Sequence, residues 1–175
     1  LSASFEKTGA LTAIGGDLEP AFEIKGMVSL ADIAEVDPPA DLPEPIEDAF
    51  SEGAKCFAIG CFNAAATMFR LSLDLATKQM LPDVDEAGGP NSQERRNLAP
   101  RLRWLFANGK LPADLQPLSE AVKENGDDGA HAGILDKNEA EDLLDFARAL
   151  LERLYTEPAK LAAARQRVID RRAAP

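Results

Sequence analysis

The run DKNEAEDLLDFARALLERLY, residues 136–155, decides the fold. Leu143, Leu144, Ala147, Leu150, Leu151, Leu154 and Tyr155 recur at spacings that keep them on one side of a 3.6-residue period. Asp136 with Glu139 three positions later reads as a capping box, in which each side chain satisfies a backbone N–H near the other. A helix with one long apolar face has to bury that face against other elements. Its neighbours can be read outward from it.

Downstream, Pro158 is expected to break this helix, and residues 159–172 to form a last, polar, Ala-rich helix. Upstream, Leu115, Leu118 and Val122 mark a short helix over residues 113–125, with Gly126 as the residue that follows its C-cap. Before that, Leu98, Leu102, Leu105 and Phe106 give a helix over residues 93–106, closed by Asn108-Gly109. Pro100 inside it implies a kink or a late start, with the proline in the first turn. Ala65, Met68, Phe69, Ser72, Leu75 and Ala76 form the stripe of a helix over residues 62–80, small enough in places for close packing. Ile46, Phe50, Ala54 and Phe57 face inward on a first helix that ends at Gly60. From residue 46 onward the chain reads as an all-α bundle of about five to six helices with short loops.

The start of the chain differs. Leu11-Thr12-Ala13-Ile14, Gly15-Gly16-Asp17 and Phe22-Glu23-Ile24-Lys25 suggest a short extended or hairpin N-terminal arm over residues 1–36. Such an arm could be the remnant of a preceding segment or pair with another chain. Residues 37–45, rich in proline, read as a rigid linker to the helical domain, residues 46–175. The first residue is Leu1 rather than Met, as expected of a chain trimmed or excised from something longer.

The 175 residues suffice for one core and not for two large domains. Nineteen basic against thirty acidic side chains give a net charge of -11, which argues against general duplex-DNA binding. Basic residues nevertheless gather in two groups, Arg95, Arg96, Arg101 and Arg103, and Arg165, Arg167, Arg171 and Arg172. Both read first as solvated helix faces. No apolar run approaches the length of a membrane span, and a cytoplasmic location is expected. One His and two Cys exclude Cys/His zinc clusters and a disulfide framework. Cys56 and Cys61 read as small buried apolar side chains, free in a reducing compartment. No cofactor is expected: there is no Gly-Lys-Ser/Thr phosphate loop and no dinucleotide fingerprint.

His131 is the one side chain whose ordinary pKa lies near neutrality, so any Ser-His or Cys-His chemistry would have to use it. It closes the segment Lys123-Glu124-Asn125-Gly126-Asp127-Asp128-Gly129-Ala130-His131, in which two glycines permit a sharp turn. The bland reading is an imidazole that bridges backbone groups in that turn. Arg70 and Asp74 lie four apart on the second helix and could form a surface ion pair. Trp104 reads as a core or groove anchor.

Four stretches in order resemble the HEPN-like family catalogued as domain of unknown function 4145. They are residues 42–56 for its opening helix and residues 63–74 for its Met-x-Arg … Leu-Glu helix. Residues 123–131 resemble its Arg-x-x-Gly-Asn-x-x-Ala-His turn, and residues 144–158 its last long helix with a Leu-Tyr-x-x-Pro ending. The resemblance implies a helical domain that dimerises. Active relatives of the HEPN kind are metal-independent ribonucleases, many in bacterial defence systems. By that resemblance His131 would be the general acid/base, with Lys123 or Arg70 as the phosphate-facing cation, and Asn125, Asp127 and Asp74 would be binding residues.

The chain departs from the pattern. Lys123 stands where the family has Arg, Asp127 where it has Asn, and seven residues separate Lys123 from His131. A lysine cannot form a bidentate fork to phosphate. Asp127 and Asp128 would repel phosphate and favour imidazolium at His131. The expectation is a non-catalytic or weakly active accessory domain that forms a homodimer and binds RNA or a protein partner. The rival is a metal-independent endoribonuclease.

Overall fold

Two prolines open the helical domain of the computed structural model, which describes residues 36–84, 86, 88–122 and 135–173. Pro43 caps the first helix, α1 (Glu44–Ala58), and Pro45 sits in its first turn, where a missing N–H costs nothing. Glu44 and Glu47 place negative charge at the positive end of the helix dipole. At the other end Gly60 adopts φ 78°, and two bonds seal the last turn: Gly60 N–H to Phe57 O at 3.0 Å and Cys61 N–H to Cys56 O at 2.8 Å.

The chain then turns into α2 (Phe62–Lys78), which packs along α1 as a helical hairpin. Contact is close because Gly53 has no side chain. A Cβ there would lie 2.8 Å from the Phe69 ring. Phe50 and Phe69 tilt against each other with ring centroids 5.4 Å apart.

The helix expected over residues 93–106 is two helices, α3 (Ser92–Arg96) and α4 (Leu98–Ala107), split at Asn97 with φ -106° and ψ 133°. Pro100 is the reason. Its ring would collide with the carbonyl of Arg96 if the helix ran through, so α4 starts late with Pro100 in its first turn. Gly109 at φ 62° closes α4 with the same pair of bonds seen after α1, from Gly109 N–H to Phe106 O and Lys110 N–H to Leu105 O.

The short helix expected over residues 113–125 is replaced, as far as residue 122, by two 3-10 turns, Ala113–Leu115 and Pro117–Ala121. Pro117 has no N–H to give the Ala113 carbonyl, so an α-helical turn cannot form across it. Leu115 and Val122 are buried, but Leu118 is 41% exposed rather than inward.

Helix α5 (Lys137–Leu151) has the expected capping box: Asp136 accepts from Glu139 N–H at 2.9 Å, and Glu139 accepts from Asp136 N–H at 3.1 Å. Pro158 does not break the helix. The chain passes through a π-helical turn, Glu152–Thr156, straight into α6 (Glu157–Ala173). A wide turn just before the proline takes up the bond and the space that an α-helical turn would deny it.

The core lies between α1, α2, α4 and α5, filled by Ile46, Phe50, Phe69, Leu73, Leu102, Leu105, Leu143, Phe146 and Leu150. Helices α2 and α5 are its axis, since each packs on several neighbours. The described residues form these six helices and no strand. The expected N-terminal hairpin lies outside them. The proline-rich linker is seated on the domain: Thr156 Oγ1 donates to Ala40 O at 2.6 Å and Arg148 to Asp37 O at 3.2 Å. Cys56 is half-buried and Cys61 is exposed, so the expectation of two buried thiols holds for neither in full; Cys61 stands at the α2 N-cap, outside the packed face. Among the described residues no helix is long and apolar enough to cross a membrane.

Candidate functional site

One edge of α2 carries Asn63, Thr67, Arg70 and Asp74 at spacings of four, three and four, which aligns them on a polar stripe. The top of the stripe holds the chain that leads into α5. Asn63 Oδ1 accepts from Leu135 N–H at 2.7 Å. Leu135 lies four residues after His131. His131 itself, with Lys123, Asn125 and Asp127, falls outside the described residues.

Arg70 is half-buried and its Nε has no hydrogen-bond partner. Burial pulls its pKa below the ordinary value, and the carboxylate of Glu139 opposes that shift. Glu139 reaches this edge because the capping box fixes it in the first turn of α5. Arg70 therefore lies at the junction of α2 and α5 with its Nε shielded from solvent, and only the rest of its half-buried guanidinium could take a phosphoryl or carboxylate oxygen.

Asp74, by contrast, is fully engaged. Its Oδ1 receives Nη1 of Arg101 at 2.6 Å and its Oδ2 receives Lys78 Nζ at 2.6 Å. The surface ion pair expected between Arg70 and Asp74 is not formed. Arg101 comes from α4, outcompetes it, and is itself completely buried. Its guanidinium also reaches Thr77 Oγ1 at 3.2 Å and Arg95 O at 2.8 Å. Arg95 binds the carbonyls of Pro82, Asp83 and Pro90, stitching the loop between α2 and α3 to the bundle. In the first basic group Arg95 and Arg101 are clamps; Arg96 and Arg103 lie at the surface. The sequence did hold a signal for Arg101. It shares the stripe of Leu98, Leu102 and Leu105, where a solvated side chain has no place.

The second basic group behaves differently. Arg165, Arg167, Arg171 and Arg172 are all exposed on α6, a 17-residue helix in which no residue is buried. The same helix exposes Leu161 at 60%, Val168 at 43% and Ile169 at 57%. Among the described residues no group of three or more His, Cys, Asp or Glu side chains is placed to hold a metal ion.

A family model described as "Domain of unknown function (DUF4145)" matches residues 51–169, from the middle of α1 to near the end of α6. No curated protein and no solved structure gives a significant match.

Proposed function

We propose a function for this chain, which belongs to the DUF4145 family of domains of unknown function. It is a non-catalytic or weakly active HEPN-like accessory domain, cytoplasmic and bacterial, that dimerises and engages RNA or a protein partner, with a defence system as its setting. The observation that carries this reading is α6. A surface helix of 17 residues with no buried side chain lacks the packing that normally stabilises a helix in water. Its exposed Leu161, Val168 and Ile169 beside four arginines suit a surface made to be covered. The engagement of Asp74 by Arg101 and Lys78 agrees with a structural rather than a catalytic use of that carboxylate.

The test compares the intact chain with a Leu161→Ser/Ile169→Ser variant in sedimentation and in binding to labelled single-stranded RNA. Loss of self-association or of RNA binding, with the helical spectrum retained, supports the reading. Unchanged behaviour in both overturns it.

A second reading, a metal-independent endoribonuclease with His131 as general acid/base, is favoured by Arg70. Arg70 is a half-buried cation on the same edge of α2 as Asn63, which holds Leu135, four residues after His131. Cleavage of a labelled RNA pool in EDTA, lost in His131→Ala and Arg70→Ala, would select this reading; no cleavage by the intact chain would remove it.

A further inference from the structure

We infer that α6 is an arm that docks on the acidic outer face of α1 in a second copy of this chain, each copy giving its arm to the other. This rests on the reading of α6 as an interaction surface and names its occupant.

The argument begins with geometry. Helix α6 continues α5 through the π-helical turn, and its substantial contacts are with that turn alone. At 1.5 Å per residue the 17 residues reach about 25 Å from the bundle. Along that reach Leu161, Ala164 and Val168 recur at three and four, the spacing of an interhelical seam, and Ile169 widens it. The seam implies a helical protein surface as its counterpart. A nucleic acid would take the arginines and leave these side chains in water.

Charge then selects which surface. Five cations, Lys160, Arg165, Arg167, Arg171 and Arg172, against Glu157 and Asp170 give α6 a net charge of +3. The chain totals -11, so the remainder carries -14. Two α6 helices laid together would set +3 against +3, which disfavours an arm-to-arm pair. The body of another copy supplies the opposite sign. On α1, Glu44, Asp48 and Glu52 are exposed at four-residue spacing, with Glu47 beside them, and these four carboxylates outnumber the one cation on that face, Lys55. The same face ends in Ile59, a large apolar side chain 48% exposed. An acidic ridge ending in an apolar residue complements a basic helix with an apolar seam. Because each copy carries both the arm and the ridge, the exchange closes on itself as a two-fold dimer.

Charge swapping tests this on the full chain. Sedimentation of the unaltered protein is expected to show a dimer that weakens as salt rises. Arg165→Glu/Arg171→Glu in α6, and Asp48→Lys/Glu52→Lys in α1, should each weaken self-association by about tenfold or more. All four sites are exposed, so both variants keep the fold, which circular dichroism checks. An equimolar mixture of the two variants should recover the dimer, since both reciprocal contacts are then attractive. A monomeric unaltered protein, variants that stay dimeric, or a mixture that fails to recover each overturns the inference. If the unaltered protein is monomeric yet loses RNA binding when α6 is reversed, the docking partner is wrong while the use of α6 stands. If reversal of α6 changes neither property, both fall.

Discussion

Arg101 and Asp74 form a contact of 2.6 Å between unequal partners: the guanidinium has no solvent exposure, and the carboxylate side chain retains 21%. The inequality fixes what each substitution should do. Asp74→Ala leaves a buried charge with neutral acceptors only, a change that typically costs about 3–5 kcal/mol. Arg101→Met removes the charge itself and fills a similar space, while Asp74 keeps Lys78 and some water. Asp74→Ala should therefore lower the unfolding free energy more than Arg101→Met, and the double variant should lose less than the sum of the two. Denaturant melts of the three proteins decide it; equal losses for the two single variants would mean the pair is not buried as described.

Gly53 sets the distance between α1 and α2. A mid-helix glycine normally costs up to about 1 kcal/mol relative to alanine, so Gly53→Ala gains helix propensity. The new methyl would meet Phe69 ring atoms at 2.8 Å, and that ring is fully buried against Phe50 with little room to move. Overpacking of this kind typically costs about 1–3 kcal/mol, which outweighs the gain. A lower melting temperature for Gly53→Ala is expected, and Phe69→Leu in the same chain should relieve part of it. A stabilised Gly53→Ala would show that the helices can move apart.

Helix period and cap chemistry make most of the bundle legible in the sequence. Ile46, Phe50 and Ala54 on α1, the Asp136–Glu139 box and the glycine stops at 60 and 109 all lie where those local rules put them. The misses share a cause in prolines. Pro100 produces the late start expected of it, but Pro117 divides a helix that periodicity runs together, and Pro158 fails to divide one, because a wide turn can absorb a proline and no pattern of side chains announces it. The candidate site is less legible. Arg70 and Asp74 are four apart and suggest each other, but the true partner of Asp74 lies 27 positions away on α4. Spacing within one helix cannot report such a contact. The Lys123–His131 segment falls outside the described residues, so the part of the site most specific in the sequence is tested only in solution.

Pro158 offers a direct check of the wide turn. If the π-helical turn exists to accommodate the ring and the missing N–H, Pro158→Ala removes its cause. Proline is about 3 kcal/mol less favourable than alanine inside a helix, and the wide turn already relieves part of that. A gain of about 1–2 kcal/mol in stability is expected, with slower amide exchange at residues 154–158. Thr156 must also shift in register, so its bond to Ala40 should weaken and protease should cut more readily at residues 36–42. No gain in stability would mean that the turn is held by Thr156 and its partner rather than by the proline.

The two thiols should differ in reactivity although five positions apart. Burial, then the neighbouring Cys61 and Glu52, push the Cys56 thiol above its ordinary value of 9.0. Because the thiolate is the nucleophile, a raised pKa and partial burial both slow alkylation. Cys61 is exposed at the start of α2, so packing does not shield its sulfur. Iodoacetamide at about pH 8 should label Cys61 first and Cys56 several-fold more slowly, a difference that mass spectrometry of the peptides reads directly. For stability the sign follows from the direction of the shift: a proton held more tightly in the folded state means that the contribution from Cys56 is intact below pH 9.0 and falls as pH rises past it. Cys56→Ala should flatten that alkaline loss, and Cys61→Ala should flatten it less. Equal labelling of the two thiols would show that the α1–α2 turn opens far enough to expose Cys56.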